Sequence, residues 1–154
     1  MIVLAIIALI AMLTGIGSST LTDTATRLEL DKLYALCHYA QRYAMASNQM
    51  RTITFNLPAN SYRFREREEK LLSNVQFGFI QGAQGPPAQP TSALTKPITF
   101  VDEHITFYPD GIIQAGTVYL VNKNKTIMYA LSNAVSPVSH LRKYAYDGAW
   151  RLVR

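Results

Sequence analysis

Met1 to Leu21 carries no charged residue, and every position from Met1 to Leu13 is apolar. As an α-helix this stretch would reach about 31 Å, close to the hydrocarbon thickness of a bilayer. It therefore predicts a transmembrane or membrane-derived helix. A signal peptide would open with a basic segment, yet no Lys or Arg precedes Arg27. Gly15, Gly17, Ser18 and Ser19 near the exit would permit close approach of a neighbouring helix or a local loss of helicity.

No break follows. From Leu21 through Asn48 the chain has neither Pro nor Gly, and Leu21, Ala25 and Leu28 lead by helical steps to Leu33, Leu36, Ala40 and Tyr43. The spacing predicts one long helix, apolar first and amphipathic after, running to about Asn48 and extending roughly 70 Å. Asp23 with Arg27, Arg27 with Asp31, and Glu29 with Lys32 are acid–base pairs at helical spacing and are expected on a solvated face. Cys37 falls on the line Leu33, Cys37, Ala40, Ala44 and reads as a small core residue. As a lone cysteine it has no intrachain disulfide partner.

A length of 154 residues fits one modest core. The expected organisation is a transmembrane part of the helix over 1–21, an amphipathic part over 22–49, and a β-rich globular domain over 50–154. Arg51–Leu57 and Ser61–Arg65 alternate apolar and polar residues around Pro58-Ala59-Asn60, which predicts a hairpin with Ile53, Phe55, Leu57, Tyr62 and Phe64 facing the helix. Glu66–Lys70 reads as a charged connection and Val75–Ile80 as a short strand. Gln81–Pro97, with four prolines and two glycines, reads as an irregular surface loop. Strands are expected at Ile98–Val101 and His104–Tyr108, then at Thr117–Val121 and Thr126–Leu131, then at Leu141–Tyr146 and Ala149–Val153. Asp110-Gly111 and Asp147-Gly148 supply turns. The predicted fold class is α+β, with the long N-terminal helix packed against an antiparallel sheet or sheet pair.

Nothing in the sequence assembles a catalytic or metal site. His38, His104 and His140 lack metal-site spacing, and Asp102-Glu103 reads as a solvated turn. No enzyme activity and no cofactor are expected. The net charge of +5 is modest, and Arg63, Arg65, Arg67 and Lys70 are interrupted by Glu66, Glu68 and Glu69, which breaks any continuous phosphate track. Tyr34, Tyr39, Tyr43, Phe55, Tyr62, Phe64, Phe77 and Phe79 are expected to build the helix–sheet junction. Arg142, Lys143, Tyr144, Trp150 and Arg151 form the candidate partner surface on the last hairpin.

The apolar run Ile2-Val3-Leu4-Ala5-Ile6-Ile7-Ala8-Leu9-Ile10-Ala11, the amphipathic segment ending Tyr39 to Asn48, and the later Ile105 to Gly111 and Gly116 to Leu120 occur in that order. In this combination the chain resembles the type IV pilin-like superfamily, especially the GspH/FimT-like minor pseudopilins of type II secretion systems. The resemblance implies a pilin-like fold and a non-enzymatic subunit of a secretion pseudopilus or related filament. It implies a bacterial inner-membrane, single-pass location before assembly, with the globular domain outside the cytoplasm. Ile2, Leu4, Ile6, Ile7, Leu9 and Leu13 would form the membrane and assembly helix. The implied partners are other pilin or pseudopilin subunits and inner-membrane lipid.

Members of that family begin with a basic leader ending in Gly, followed by an aromatic residue and a Glu. The leader is cut, and the new amino terminus methylated, by a prepilin peptidase. That pattern is absent from these first residues, so the sequence is expected to start several residues late, and the peptidase is a partner if the true N-terminus is longer. The alternative within the superfamily is a DNA-uptake, competence or adhesive pilus subunit, with DNA as partner of the last hairpin.

Overall fold

The computed structural model describes residues 2–85, 91–134 and 139–154, with side chains described from Asp23 onward. The helix α1 runs without interruption over Ile2–Ser47. Its end is set by Asn48, whose φ of 49° is left-handed. Gln49 N donates to Ala44 O at 3.2 Å and Asn48 N to Met45 O at 3.3 Å, the paired bonds of a Schellman stop.

Among the described residues nine strands follow: β1 Arg51–Asn56, β2 Ser61–Phe64, β3 Arg67–Lys70, β4 Val75–Phe77, β5 His104–Phe107, β6 Gly116–Asn122, β7 Met128–Asn133, β8 Leu141–Tyr146 and β9 Trp150–Val153. They form two antiparallel sheets, β3-β2-β1-β5 and β4-β6-β7-β8-β9. The architecture is α+β, one N-terminal helix packed against antiparallel sheets. Leu30, Leu33, Cys37, Ala40 and Ala44 of α1 are fully buried among Ile53, Phe55 and Ile105 of the first sheet and Val118, Leu120 and Leu131 of the second. Leu33, Cys37, Ala40 and Ala44 are the line expected from the sequence, whereas Leu28, expected to lead into it, is 48% exposed and Leu30 takes the buried place, because five residues from Leu28 to Leu33 turn the helix by about 140°. Tyr39 and Tyr43 both meet the Phe64 ring edge-on.

The β1–β2, β6–β7 and β8–β9 hairpins form where alternation and turn residues place them. Tyr108-Pro109-Asp110-Gly111 turns sharply, with Gly111 at φ 85° and Ile112 N bonded to Asp110 Oδ1 at 3.0 Å. Asn122 closes the β6–β7 connection by accepting from Thr126 N and Ile127 N at 2.8 and 3.0 Å.

Asn60 joins the two sheets. Sitting at φ 52° in the β1–β2 turn, it donates from Nδ2 to Val75 O at 2.6 Å and accepts from Phe77 N at Oδ1, 3.0 Å, both on β4. Its carbonyl also accepts from Leu71 N at 3.0 Å.

Several sequence expectations change. Arg67–Lys70 is a strand and not a charged connection, because backbone pairing with β2 needs no apolar alternation and Ser61 Oγ donates to Glu68 Oε1 at 2.5 Å across it. Ile98–Val101 contributes only the isolated bridge Ile98–Val118, and the chain coils through Val101–Glu103 before β5. The segment after β4 is not merely a surface loop. Ala83 is buried, and Phe79, Ile80 and Leu94 cover Tyr119, Val121, Met128 and Ala130 on the face of the second sheet turned away from α1. That second layer is why every residue of β7 is buried. The tandem prolines Pro86-Pro87 lie outside the described residues.

The membrane expectation is also corrected. Among the described residues no helix is long and apolar enough to cross a membrane. In the part of α1 whose side chains are described, from Asp23 onward, Asp23, Arg27, Glu29, Asp31, Lys32 and Arg42 recur too densely for a membrane span. This overturns both the transmembrane-helix expectation and the single-pass inner-membrane location. The side chains of Ile2, Leu4, Ile6, Ile7, Leu9 and Leu13 lie outside the described ones, although their backbone belongs to α1.

Candidate functional site

The outward face of α1 is the first candidate. Leu28, Lys32, Ala35, Tyr39, Arg42 and Ala46 recur at intervals of three and four residues, so they form one line opposite the buried stripe. Leu28 is 48% exposed and Tyr39 54%, and Ala35 and Ala46 are exposed beside them. An amphipathic helix whose only task was to cover the sheets would place polar groups here. This line instead alternates apolar side chains with cations.

The helix charges are not a uniformly solvated face. Lys32 Nζ bonds Glu29 Oε1 at 2.9 Å, but Glu29 itself is only 1% exposed, and its Oε2 has no hydrogen-bond partner among the described residues. Glu29 shares a helical line with Leu36 and Tyr43, and that line turns toward the first sheet. On the other flank, Tyr129 donates its hydroxyl to Asp23 Oδ1 at 2.6 Å, and Lys143 Nζ pairs with Asp31 Oδ1 at 2.6 Å.

The last hairpin separates the residues expected to act together. Leu141, Lys143 and Ala145 alternate with Arg142, Tyr144 and Tyr146 along β8, so the two sets face opposite sides of the second sheet. Lys143 points to the helix. It is 15% exposed, and its ammonium lies 5.0 Å from the Tyr34 ring centroid as well as against Asp31. Tyr144 and Trp150 belong to the opposite layer, where Trp150 packs on Tyr119 and Tyr146 and donates Nε1–H to Gln84 O at 2.9 Å. Arg151 is paired with Asp147 at 2.9 Å, and Arg142 is exposed. The hairpin therefore offers no single surface that gathers its cations around its aromatic rings.

Sequence reasoning missed a groove between α1 and the β2–β3 hairpin, with a volume of about 820 Å³. Leu36, Tyr39, Tyr62 and Phe64 supply its apolar lining, and Lys32, Arg65 and Arg67 border it. Arg65 stacks over Tyr43 at 5.0 Å, and Arg67 pairs with Glu69 at 2.7 Å. Burial, with Glu29 and Glu69 adding negative charge nearby, pushes the Tyr62 hydroxyl up to about 12. The available signal was the same Glu29, Leu36, Tyr43 line, which marks one flank of the helix as facing the first sheet.

The remaining titratable groups form no reactive set. Burial pushes the Cys37 thiol far above the usual range, away from the thiolate that nucleophilic chemistry needs. Burial, then the nearby Arg42 charge, lowers His38, whose ring meets Tyr34 edge-on at 4.5 Å. Asp102 and Glu103 are exposed in a left-handed turn, with His104 Nδ1 against the Asp102 carbonyl. Among the described residues no group of three or more His, Cys, Asp or Glu is placed to hold a metal ion.

No family model, no curated protein and no solved structure matches the chain.

Proposed function

We propose that this chain is a structural subunit of a type IV pilin-like filament, the pseudopilus of a type II secretion system, and acts through packing and not catalysis. The observation that carries this reading is the two-sided helix. One side of α1 is buried against both sheets, while Leu28, Ala35, Tyr39 and Ala46 leave an apolar line on the other. Half-exposed Leu28 and Tyr39 would each gain about 1 kcal/mol on being covered by a neighbouring helix. Repetition along a filament multiplies that gain. The uncharged sequence from Met1 to Leu21 extends the same chemistry toward the start of the chain.

The placement of charge on the last hairpin favours export over DNA uptake. Lys143 is held by Asp31 and Arg151 by Asp147. A phosphate track needs cations free to replace condensed counterions along one surface. A deletion strain assayed in parallel for protein export and DNA uptake tests the reading, with complementation by Arg142→Glu plus Arg151→Gln. Both positions are exposed, so this variant leaves the Lys143–Asp31 pair intact. Loss of export with uptake retained, and full rescue by the variant, is the expected outcome. Loss of uptake alone, unrescued by the variant, would overturn it.

A further inference from the structure

The two sheets end in the edge strands β3, β5, β4 and β9. An uncovered edge is a row of backbone donors and acceptors ready to pair with another strand. On β4 the Asn60 side chain takes Val75 O and Phe77 N. On β5 the returning chain does the covering: Tyr108 N bonds Ile112 O at 2.8 Å, Gln114 N bonds Thr106 O at 2.9 Å, and Phe107 bridges Ile113. β3 is bare, but each of its residues Arg67-Glu68-Glu69-Lys70 is charged, which is how natural sheets keep an open edge from pairing.

β9 has neither protection. Among the described residues its backbone pairs with β8 and with no other strand. Trp150 packs on Tyr119 and Val153 on the buried core, so Trp150 and Leu152 face the outer layer while Arg151 and Val153 face the helix side. Leu152 is 60% exposed, and among the described residues it is the one exposed large apolar side chain that lies inside a strand.

The alternation Trp150-Arg151-Leu152-Val153-Arg154 decides which strand fits this edge. Two copies of β9 can run antiparallel about a two-fold axis normal to the sheet, which sets residues of the same face opposite each other. With the axis at Leu152, each Leu152 meets its counterpart, Trp150 meets Arg154 and Arg151 meets Val153. No like charges oppose, both exposed leucines are covered, and each Arg154 guanidinium is brought to a Trp150 ring. An axis at Arg151 would set two guanidiniums face to face. The β3 edge of a second copy offers β9 no free carboxylate, since Glu68 accepts from Ser61 and Glu69 is paired with Arg67. We propose that the chain self-associates by adding β9 of one copy antiparallel to β9 of another, joining their five-stranded sheets into one. Both helices then lie on the same side of that sheet and run in opposite directions. Copies repeated along a filament run the same way, so the pair is a state of the chain outside the filament and does not rest on that reading.

Opposed residues of an antiparallel pair have Cα atoms about 4.5 to 5.5 Å apart, within disulfide reach, whereas residues two positions out of register lie beyond it. Single cysteines in the full chain therefore read the register under mild oxidation, while Cys37 stays buried. Leu152→Cys should form a disulfide-linked dimer with itself. Arg151→Cys and Val153→Cys should each give none alone and should cross-link when mixed. Adding Leu152→Lys to both members of that mixture sets two ammoniums against each other on the axis and should cut the yield about tenfold, with the far-UV spectrum unchanged because Leu152 is exposed. Dimers from Arg151→Cys alone would place the axis elsewhere and overturn the proposal. Undiminished yield from the Leu152→Lys chains, or no dimer from Leu152→Cys, would overturn it as well. Disulfide capture of a different protein by Leu152→Cys in cell extract, with the purified chain unlinked, would assign the edge to that protein and also overturn it.

Discussion

Replacing Asn60 should cost the chain a large share of its stability. The side chain spans the two sheets through Val75 O at 2.6 Å and Phe77 N at 3.0 Å. Each such bond contributes about 1 kcal/mol net, and leaving a partly buried partner unsatisfied adds a similar amount. Asn60 also sits at φ 52°, where alanine is disfavoured by about 1 kcal/mol relative to asparagine or glycine. Asn60→Ala is therefore expected to lose about 3 to 4 kcal/mol, a large share of the ~5 to 15 kcal/mol of a typical domain. Asn60→Gly keeps the backbone conformation and loses only the side-chain bonds, so it should cost about 1 kcal/mol less than alanine. Urea denaturation of the three proteins measures both differences. Amide exchange at Phe77 should accelerate in both variants, since its N–H loses its acceptor. If Asn60→Ala lies within about 0.5 kcal/mol of the parent chain, the sheets are held by apolar packing alone and the cross-sheet clamp is refuted.

Gly116→Ala should destabilise by about 1 to 3 kcal/mol, because the new methyl would stand 2.5 Å from the Phe100 ring; thermal denaturation checks it. Trp150→Ala should cost about 2 kcal/mol, less than a fully buried tryptophan, and should speed proteolysis between Gln81 and Pro97 by releasing the Gln84 contact. Burial raises Tyr62 and Tyr119 to about 12 and Tyr129 further still. In the unfolded chain these hydroxyls ionise near pH 10, so above that the unfolded state holds fewer protons and gains relative stability. Their contribution should be complete below about pH 10 and fall steadily toward pH 12, and Tyr129→Phe should flatten the decline; a denaturation series across pH 8 to 12 measures it.

The helix was legible because its determinants are local. A segment free of Pro and Gly, with Leu33, Cys37, Ala40 and Ala44 in one line, specifies both the element and its buried face. The hairpins were legible where turn residues and alternation coincided, as at Asp147-Gly148. β3 was not, because Arg67-Glu68-Glu69-Lys70 contains no apolar side chain and is held to β2 by its backbone ladder and the Ser61–Glu68 hydrogen bond. The distant pairings β1–β5 and β4–β6 were equally hidden, since register across dozens of residues leaves no local trace.

The expected partner surface illustrates how chemistry can be misplaced on a correct hairpin. Arg142 and Lys143 are neighbours in sequence, but adjacent strand residues face opposite ways, and Leu141 and Ala145 already mark the inward side. Glu29 was read from its i,i+3 partner Lys32, a spacing that identifies a pair without identifying its face. Its companions Leu36 and Tyr43 carried that information. That line marked the helix wall of the groove, while the opposite wall depended on where β3 lies.

Co-isolation of the chain with filaments sheared from cells tests the central claim most directly. Wild-type chain should be enriched in the filament fraction, whereas Leu28→Asp plus Ala46→Asp should be depleted about tenfold while retaining the parent melting temperature, since both positions are exposed and neither belongs to the buried core. Equal recovery of the folded variant, or absence of the wild-type chain from the filaments, would contradict the account.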